Sequence, residues 1–430
     1  MTSLNLRPVI KTGGEIQLPG SKSLSNRALL LAALSPTETK LQNLLRSEDT
    51  ERMVDALTQL GVSITLSDDW QICSVRGNNG IFSEPNDSQF FLGNAGTAIR
   101  PLTSILALMR GEFIVDGDKY MRERPISHLV DALRELGAKI SYLGADGCPP
   151  IKVSGGNIKG GKVNIRGDIS SQYLTSLLLS LPLAERDSEI TVEGEQVSKP
   201  YLDLTLDIME KFGVIAQHEN HQKFTVAGRQ SYKSPDAYLI EGDASSASYF
   251  FAAAAISGGT IRVNGLGANS VQGDIEFLDV IEKMGALVNR TDQWIEVSRG
   301  ELVGIDMDLN HIPDAAMTIA SMALFAEGRT TIRNIYNWRV KETDRMFAMK
   351  TELRKLGATV ETGDDFIIID PPEKIKSCSI DTYGDHRIAM AFSLASLSDA
   401  NITINNPECT AKTFPDYFEV FESICHHAEN

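Results

Sequence analysis

Cysteine is scarce in this chain: five of 430 residues, at positions 73, 148, 378, 409 and 425. The number is odd and there is no C-x-x-C, so reduced thiols in a cytoplasmic protein are the simplest reading. Cys425-His426-His427 has metal-binding residue types, but it lies in the polar C-terminal tail, and no metal is expected. Long apolar runs are missing too. The longest, such as ALLLAAL at 28–34, fall well short of the roughly 20 residues of a membrane span, and MTSLNLRPVIKTGGE has no apolar signal region. Positive charge is in deficit, with 41 Lys and Arg against 57 Asp and Glu and a formal net charge of -16. A field of that sign repels nucleic acid and anionic membranes, so neither is an expected partner. Even PGSKSLSNRA at 19–28 is not a P-loop, because Ser21 separates Gly20 from Lys22 and the upstream glycine is missing.

What the chain does have is ordinary globular composition, 42% apolar and 23% charged, in a length that suits two domains. It also repeats itself. Five times an amphipathic helical pattern runs into a glycine and then into alternation of the β type, at Gly61, Gly137, Gly213, Gly285 and Gly357, spaced 76, 76, 72 and 72 residues apart. Glycine there suits a left-handed helix cap. In a second register, six strand-like runs end in a small polar turn before an apolar helix. Marked by Ser21, Asn94, Ser170, Asp243, Asp314 and Asp385, they step by 73, 76, 73, 71 and 71 residues. The two registers predict six units of strand, helix, strand, helix and two strands. A sixth amphipathic helix, FPDYFEVFESI, has no strands after it, whereas LNLRPVIKTGGEIQL has strands to spare. The first twenty residues are therefore expected to close the last unit, the chain crossing between domains near 20 and near 240; the alternative is that the N-terminal strands simply belong to the first domain.

Each polar turn before a helix aims backbone N–H groups and the positive end of the helix dipole outward. Lys22, Ser23 and Arg27 add cations and a hydroxyl to the first turn; Asn94, Gly96, Thr97 and Arg100 stand at the second; Ser170, Ser171 and Gln172 at the third; Asp314, and His386 with Arg387, at the fifth and sixth. Any one Ser, Asn or Asp reads equally as a helix cap. Lys22, Arg100 and Arg387 favour an anion, because a cation in the first turn opposes the dipole unless a negative group lies between. Further clusters occur in YMRERPISHL, VSKPYLDL and NWRVKETDRM; Lys341, Glu342, Asp344 and Arg345 in the last also read as a solvated, salt-bridged helix face.

PGSKSLSNRALLLAAL, LGNAGTAIRPL, RERPISHLVDAL, ISSQYLTSLL, VSKPYLDLT, EGDASSASYF, NHIPDAAMTIA, YNWRVKETDR, YGDHRIAMAFSLASLS and CTAKTFPDYF together resemble the bacterial 5-enolpyruvylshikimate-3-phosphate synthases. The motifs keep one order over essentially the whole chain. The resemblance implies an α/β fold of two similar domains, each of three βαβαββ units in an inside-out α/β barrel, with the active site in the interdomain cleft. The boundaries would be 21–240 for the first domain and 1–20 plus 241–430 for the second. It implies transfer of the enolpyruvyl group of phosphoenolpyruvate to the 5-hydroxyl of shikimate 3-phosphate, with release of phosphate through a tetrahedral intermediate. No cofactor is required.

By the same resemblance, Lys22, Gly96, Arg124, Gln172, Arg345, Arg387 and Lys412 would form the phosphoenolpyruvate site. Lys22, Ser23, Arg27, Ser170, Ser171, Gln172, Ser198, Tyr201, Asp314, Asn337 and Lys341 would form the shikimate 3-phosphate site. Asp314 and Glu342 would transfer protons, Asp314 near the 5-hydroxyl and Glu342 near C3, with Lys22 or His386 as relay. The glycine and proline pattern of LGNAGTAIRPL resembles the glyphosate-sensitive class, so inhibition competitive with phosphoenolpyruvate is expected, and the family implies a monomer. Two other readings stand beside this one. The sister UDP-N-acetylglucosamine enolpyruvyl transferases typically carry a cysteine in the loop matching GDKYMRERP, which has none here. A non-catalytic anion-binding protein would keep the cations but have little use for Asp314 and Glu342.

Overall fold

A computed structural model describes residues 2–80, 82 and 87–428. The chain forms two compact units, Gly20–Ile240 on the one hand and Met1–Pro19 with Glu241–Asn430 on the other. Among the described residues no helix is long and apolar enough to cross a membrane.

The Gly20–Ile240 unit holds three four-stranded sheets of one plan. In the second, strand 89–91 pairs parallel with 112–116, which pairs antiparallel with 151–154, itself antiparallel to 139–142. The third repeats this with 162–166, 188–193, 223–226 and 216–219. In both of these, a helix joins the two parallel strands, as a parallel pair requires. These helices, Gly96–Leu108 and Ser171–Ser180, are buried along nearly their whole length, as is Lys22–Leu34 in the first repeat. The strands instead alternate, Ile151–Ser154 and Lys162–Arg166 burying every second residue. Helices buried all round and sheets buried on one face place the helices inside and the sheets outside.

The other unit follows the same plan around Ala244–Ser257, Ala316–Met322 and His386–Ser393, whose residues enter one continuous apolar core. The five glycines that end the amphipathic helices all take positive φ, from 77° at Gly213 to 108° at Gly285. No other residue type holds that conformation without strain.

The N-terminal strands depart from expectation. Strand 3–6 does close the sheet of the last repeat, antiparallel to 402–405, and 11–12 pairs with 425–426. Strand 14–17, however, pairs parallel with 260–264, in the repeat of the Ala244–Ser257 helix. The strand that precedes that helix, 237–239, pairs parallel with 38–42 in the repeat of the Lys22–Leu34 helix. The two strands leading into the first helix of each unit have thus changed places. Hydrophobic alternation marks a strand but not its partner, so this exchange is invisible in the pattern.

Candidate functional site

In the Gly20–Ile240 unit the predicted anion ligands gather at three helix starts. The Lys22–Leu34 helix follows Ser21, whose side chain makes no capping bond, and its first turn holds no acid. The Gly96–Leu108 helix follows Ala95 and is equally uncapped. At the second start Gly96 N donates to the Asn94 carbonyl and Ala98 N to the Ala95 carbonyl, both at 3.1 Å, whereas at the first the earliest backbone bond is Ser25 N to the Ser21 carbonyl at 2.8 Å, as expected of a helix whose leading N–H groups face outward. Ser170, by contrast, is a true cap, accepting from Gln172 N at 3.2 Å. Helix starts that look alike in sequence thus differ in whether a side chain caps them.

Four cations stand at these starts. Arg27 is 5% exposed, and burial lowers its pKa to about 10. Its Nε donates to Thr205 Oγ1 at 2.9 Å and its Nη1 to the Ser23 carbonyl at 2.9 Å. Its Nη2 donates to Thr175 Oγ1 at 3.4 Å and the Tyr201 carbonyl at 3.5 Å. None of these acceptors is a carboxylate. Lys22 Nζ lies 3.6 Å from Asp49 Oδ2. Arg124 Nη1 donates to the carbonyl and side-chain oxygens of Asn94 at 3.0 and 2.7 Å, while its buried Nε has no hydrogen-bond partner among the described residues. Arg100 donates through Nη1 to Gln172 Oε1 and through Nη2 to the Pro125 carbonyl at 3.2 Å. Gly96 lies in the middle: a Cβ there would stand 2.5 Å from Arg100 Nη1, 2.8 Å from Arg124 Nη2 and 3.2 Å from Gln172 Oε1. Asn26 Nδ2, donating to Thr97 Oγ1 at 2.9 Å, ties the first helix start to the second. Ser198, buried with φ of 54°, turns the chain into the Pro200–Lys211 helix and brings Tyr201 into its first turn. Ser171 is buried at the start of its own helix.

In the other unit Arg345 is the hub. Its Nε and Nη2 grip both oxygens of Asp385 at 2.8 and 3.3 Å, its Nη1 donates to Asp314 Oδ1 at 2.8 Å, and its Nη2 to Glu342 Oε2 at 3.0 Å. Burial opposes its charge, but Asp385, Glu342 and Asp314 outweigh that and raise its pKa. Arg387 Nη2 lies 3.0 Å from Asp314 Oδ2, and Lys412 Nζ 3.5 Å from Glu342 Oε1. Burial alone would lift the Asp314 carboxyl; Arg387, Lys341 and Arg345 overcome it and hold the group well below the usual carboxylate range. His386 is fully buried at the head of its helix, Nδ1 3.6 Å from Asp385 Oδ1. Asn337 is buried in the turn just before Lys341.

The solvated-face reading of 341–345 does not hold. Arg345 opens the Arg345–Lys355 helix fully buried, Asp344 caps it through Phe347 N at 3.0 Å, and the Glu342 side chain is 8% exposed.

Three participants escaped the sequence reading. Asp385, taken there only as a turn marker, caps Arg387 N at 2.9 Å and also clamps Arg345. Asp49, partner of Lys22, looks like any first-turn acid behind the Ser47 cap. Asp274 is 5% exposed and accepts from Ser245 Oγ; burial, then the charge of Asp314, lift its pKa to about 7. Nothing in their local sequence singles these residues out.

The family model for EPSP synthase (3-phosphoshikimate 1-carboxyvinyltransferase) matches residues 6–421. A 3-phosphoshikimate 1-carboxyvinyltransferase of Sulfurovum sp. is 58% identical over 424 residues, covering 99% of both chains. One of Escherichia coli is 59% identical over 424 residues with the same coverage. Among solved structures, an EPSP synthase from Acinetobacter baumannii superposes with a TM-score of 0.85 at 26% identity, covering 99% of this chain and 98% of that one. The enolpyruvyl transferase NikO from Streptomyces tendae, 16% identical with a TM-score of 0.79 over 98% of this chain and 97% of its own, shares the fold.

Proposed function

The chain belongs to the EPSP synthase family, and from that premise we propose how its two clusters divide the reaction. The activity itself is enolpyruvyl transfer in the shikimate pathway: the 5-hydroxyl of shikimate 3-phosphate adds to C2 of phosphoenolpyruvate as C3 takes a proton, and elimination of phosphate restores the double bond.

The observation that carries the division is Arg27, a buried guanidinium with neutral acceptors around it. Burying a cation without a counter-charge is costly, and the shikimate phosphate supplies the missing anion. Ser23, Ser170, Ser171, Gln172, Ser198 and Tyr201 complete that ligand set from the same unit, and Asp314, Asn337 and Lys341 serve the ring hydroxyls. Lys22, Gly96, Arg124 and Gln172 take phosphoenolpyruvate, with Arg345, Arg387 and Lys412. In the Arg345 cluster the four cations Lys341, Arg345, Arg387 and Lys412 face the carboxylates Asp314, Glu342 and Asp385, leaving net positive charge for an anion.

Asp314 remains ionised throughout the neutral range and accepts the hydroxyl proton. Glu342, held by Arg345 and Lys412, delivers the proton to C3 and takes it back on elimination; Lys22 and His386 are the relay groups. A Glu342→Gln variant is expected to lose solvent deuterium incorporation at C3, and normal incorporation would remove it from that role. Gly96 leaves room beside Arg100 and Arg124 for an anionic competitor, so glyphosate should compete with phosphoenolpyruvate. We take the enzyme to act as a cytoplasmic monomer.

The deciding test is phosphate release from phosphoenolpyruvate with shikimate 3-phosphate and, in parallel, with UDP-N-acetylglucosamine. Release with the first acceptor alone is expected. Release with the second would overturn the acceptor assignment.

A further inference from the structure

Away from these helix starts, the Gly20–Ile240 unit carries a constellation for which the transfer reaction has no use. Strands 216–219 and 223–226 are joined by a tight turn in which Gln222 N donates to the Glu219 carbonyl at 2.9 Å. Its central residues, Asn220 and His221, both take left-handed φ, 49° and 57°. Glycine is the usual second residue of such a turn, and histidine holds it at a cost in strain. The turn lays the His221 ring beside that of His218, with centroids 4.4 Å apart. It also brings His221 Nε2 to 2.6 Å from Asp203 Oδ1 on the Pro200–Lys211 helix. Phe224 stacks against the His218 ring at 5.4 Å. One ligand atom from each of Asp203, His218 and His221 lies within 4.8 Å of the others.

Two imidazoles and one carboxylate are the donor set of zinc, nickel and copper; calcium and magnesium prefer oxygen alone. Metal–ligand bonds of about 2.0–2.2 Å place tetrahedral ligands roughly 3.3 Å apart. The separations here, from 2.6 Å up to the 4.8 Å limit, bracket that value. The Asp203 side chain is 51% exposed and His218 is exposed, so both have room to rotate toward a shared ion. Loading displaces the Asp203–His221 bond and a weak one from His221 N to His218 Nδ1 at 3.3 Å. Exposure gives the ion an entry path, and three protein ligands leave a position for water.

We propose that Asp203, His218 and His221 form a binding site for a borderline divalent cation of the zinc class. The ion clasps the 216–226 hairpin to the helix whose first turn carries Tyr201. Asp203 stands two residues from Tyr201, about 200° round that helix, so the clasp stiffens the helix without entering the anion cluster.

Chelator-treated full-length protein should be titrated with Zn2+ against a chromophoric chelator, and with Co2+ read by visible absorption. One equivalent is expected, with a thermal shift on loading. Affinity should fall at least about 10-fold in each of His218→Ala and His221→Ala, by comparison with the losses that follow removal of metal-site residues. It should hold in His427→Ala, which removes a histidine of the C-terminal tail instead. His218→Gln repeats the test should the alanine variant unfold. No binding by the wild-type chain, undiminished binding by both histidine variants, or a cobalt spectrum with thiolate bands would each overturn the site.

Discussion

Arg27 makes three of its four hydrogen bonds to oxygens that have other partners: Thr175 and Thr205 share a bond at 3.3 Å, and the Tyr201 carbonyl accepts from Thr205 Oγ1 at 2.6 Å. Removing the guanidinium therefore strands little, and an apolar side chain of similar length is well tolerated in such a place. Arg27→Met should keep thermal stability within about 1 kcal/mol of wild type, or raise it, while calorimetry shows shikimate 3-phosphate binding weakened ~10–100-fold, the worth of a charged hydrogen bond. A collapsed melting temperature with unchanged affinity would make Arg27 structural. Asp274 has the opposite sensitivity. Its pKa is raised from 3.8 to about 7, so between those values the folded state binds the proton that the unfolded state has lost. Stability on its account is full below pH 4 and declines as pH rises to about 7, by up to ~10-fold in the folding constant per pH unit. Melting curves of Asp274→Asn should lack that decline; parallel curves for the two proteins would refute the shift. The candidate residues themselves were legible in the sequence because they sit in compact motifs. Their pairings were not: Arg345 and Asp385 are forty positions apart and meet only through the fold.

Among helix starts, the side chain at the cap separates termini closed by a side-chain bond from termini without one. Ser170, Asp243 and Asp385 accept a backbone N–H of their own helices, whereas Ser21 and Ala95 do not. Ser170→Ala should cost about 1 kcal/mol in denaturant unfolding as its cap is lost, and Ser21→Ala less than about 0.5. Equal costs would mean that the two starts are not different in kind. The periodic patterns located these elements well, since left-handed glycines and apolar stripes act over a few residues. They were silent on which terminus is filled, because Ser and Asn suit a cap and an anion alike.

For the molecule as a whole, the exchanged strands matter most. Ile16, 5% exposed, belongs by its pairing with Val263 to the unit of Glu241–Asn430, although in sequence it leads into the Lys22–Leu34 helix. Ile16→Asp should speed hydrogen exchange in strands 260–264 and 294–298 while strands 38–42 and 72–76 keep wild-type protection; the reverse pattern would contradict the pairing. On the ribosome the exchange becomes a matter of time. Strand 14–17 emerges early, but its partner at 260–264 follows only after about 250 more residues, roughly 12–50 s at ordinary synthesis rates. Strand 3–6 waits longer still, for 402–405. Strands 3–6 and 14–17 are thus synthesised early and paired late, and throughout that interval their backbone edges stand open to pairing with other chains.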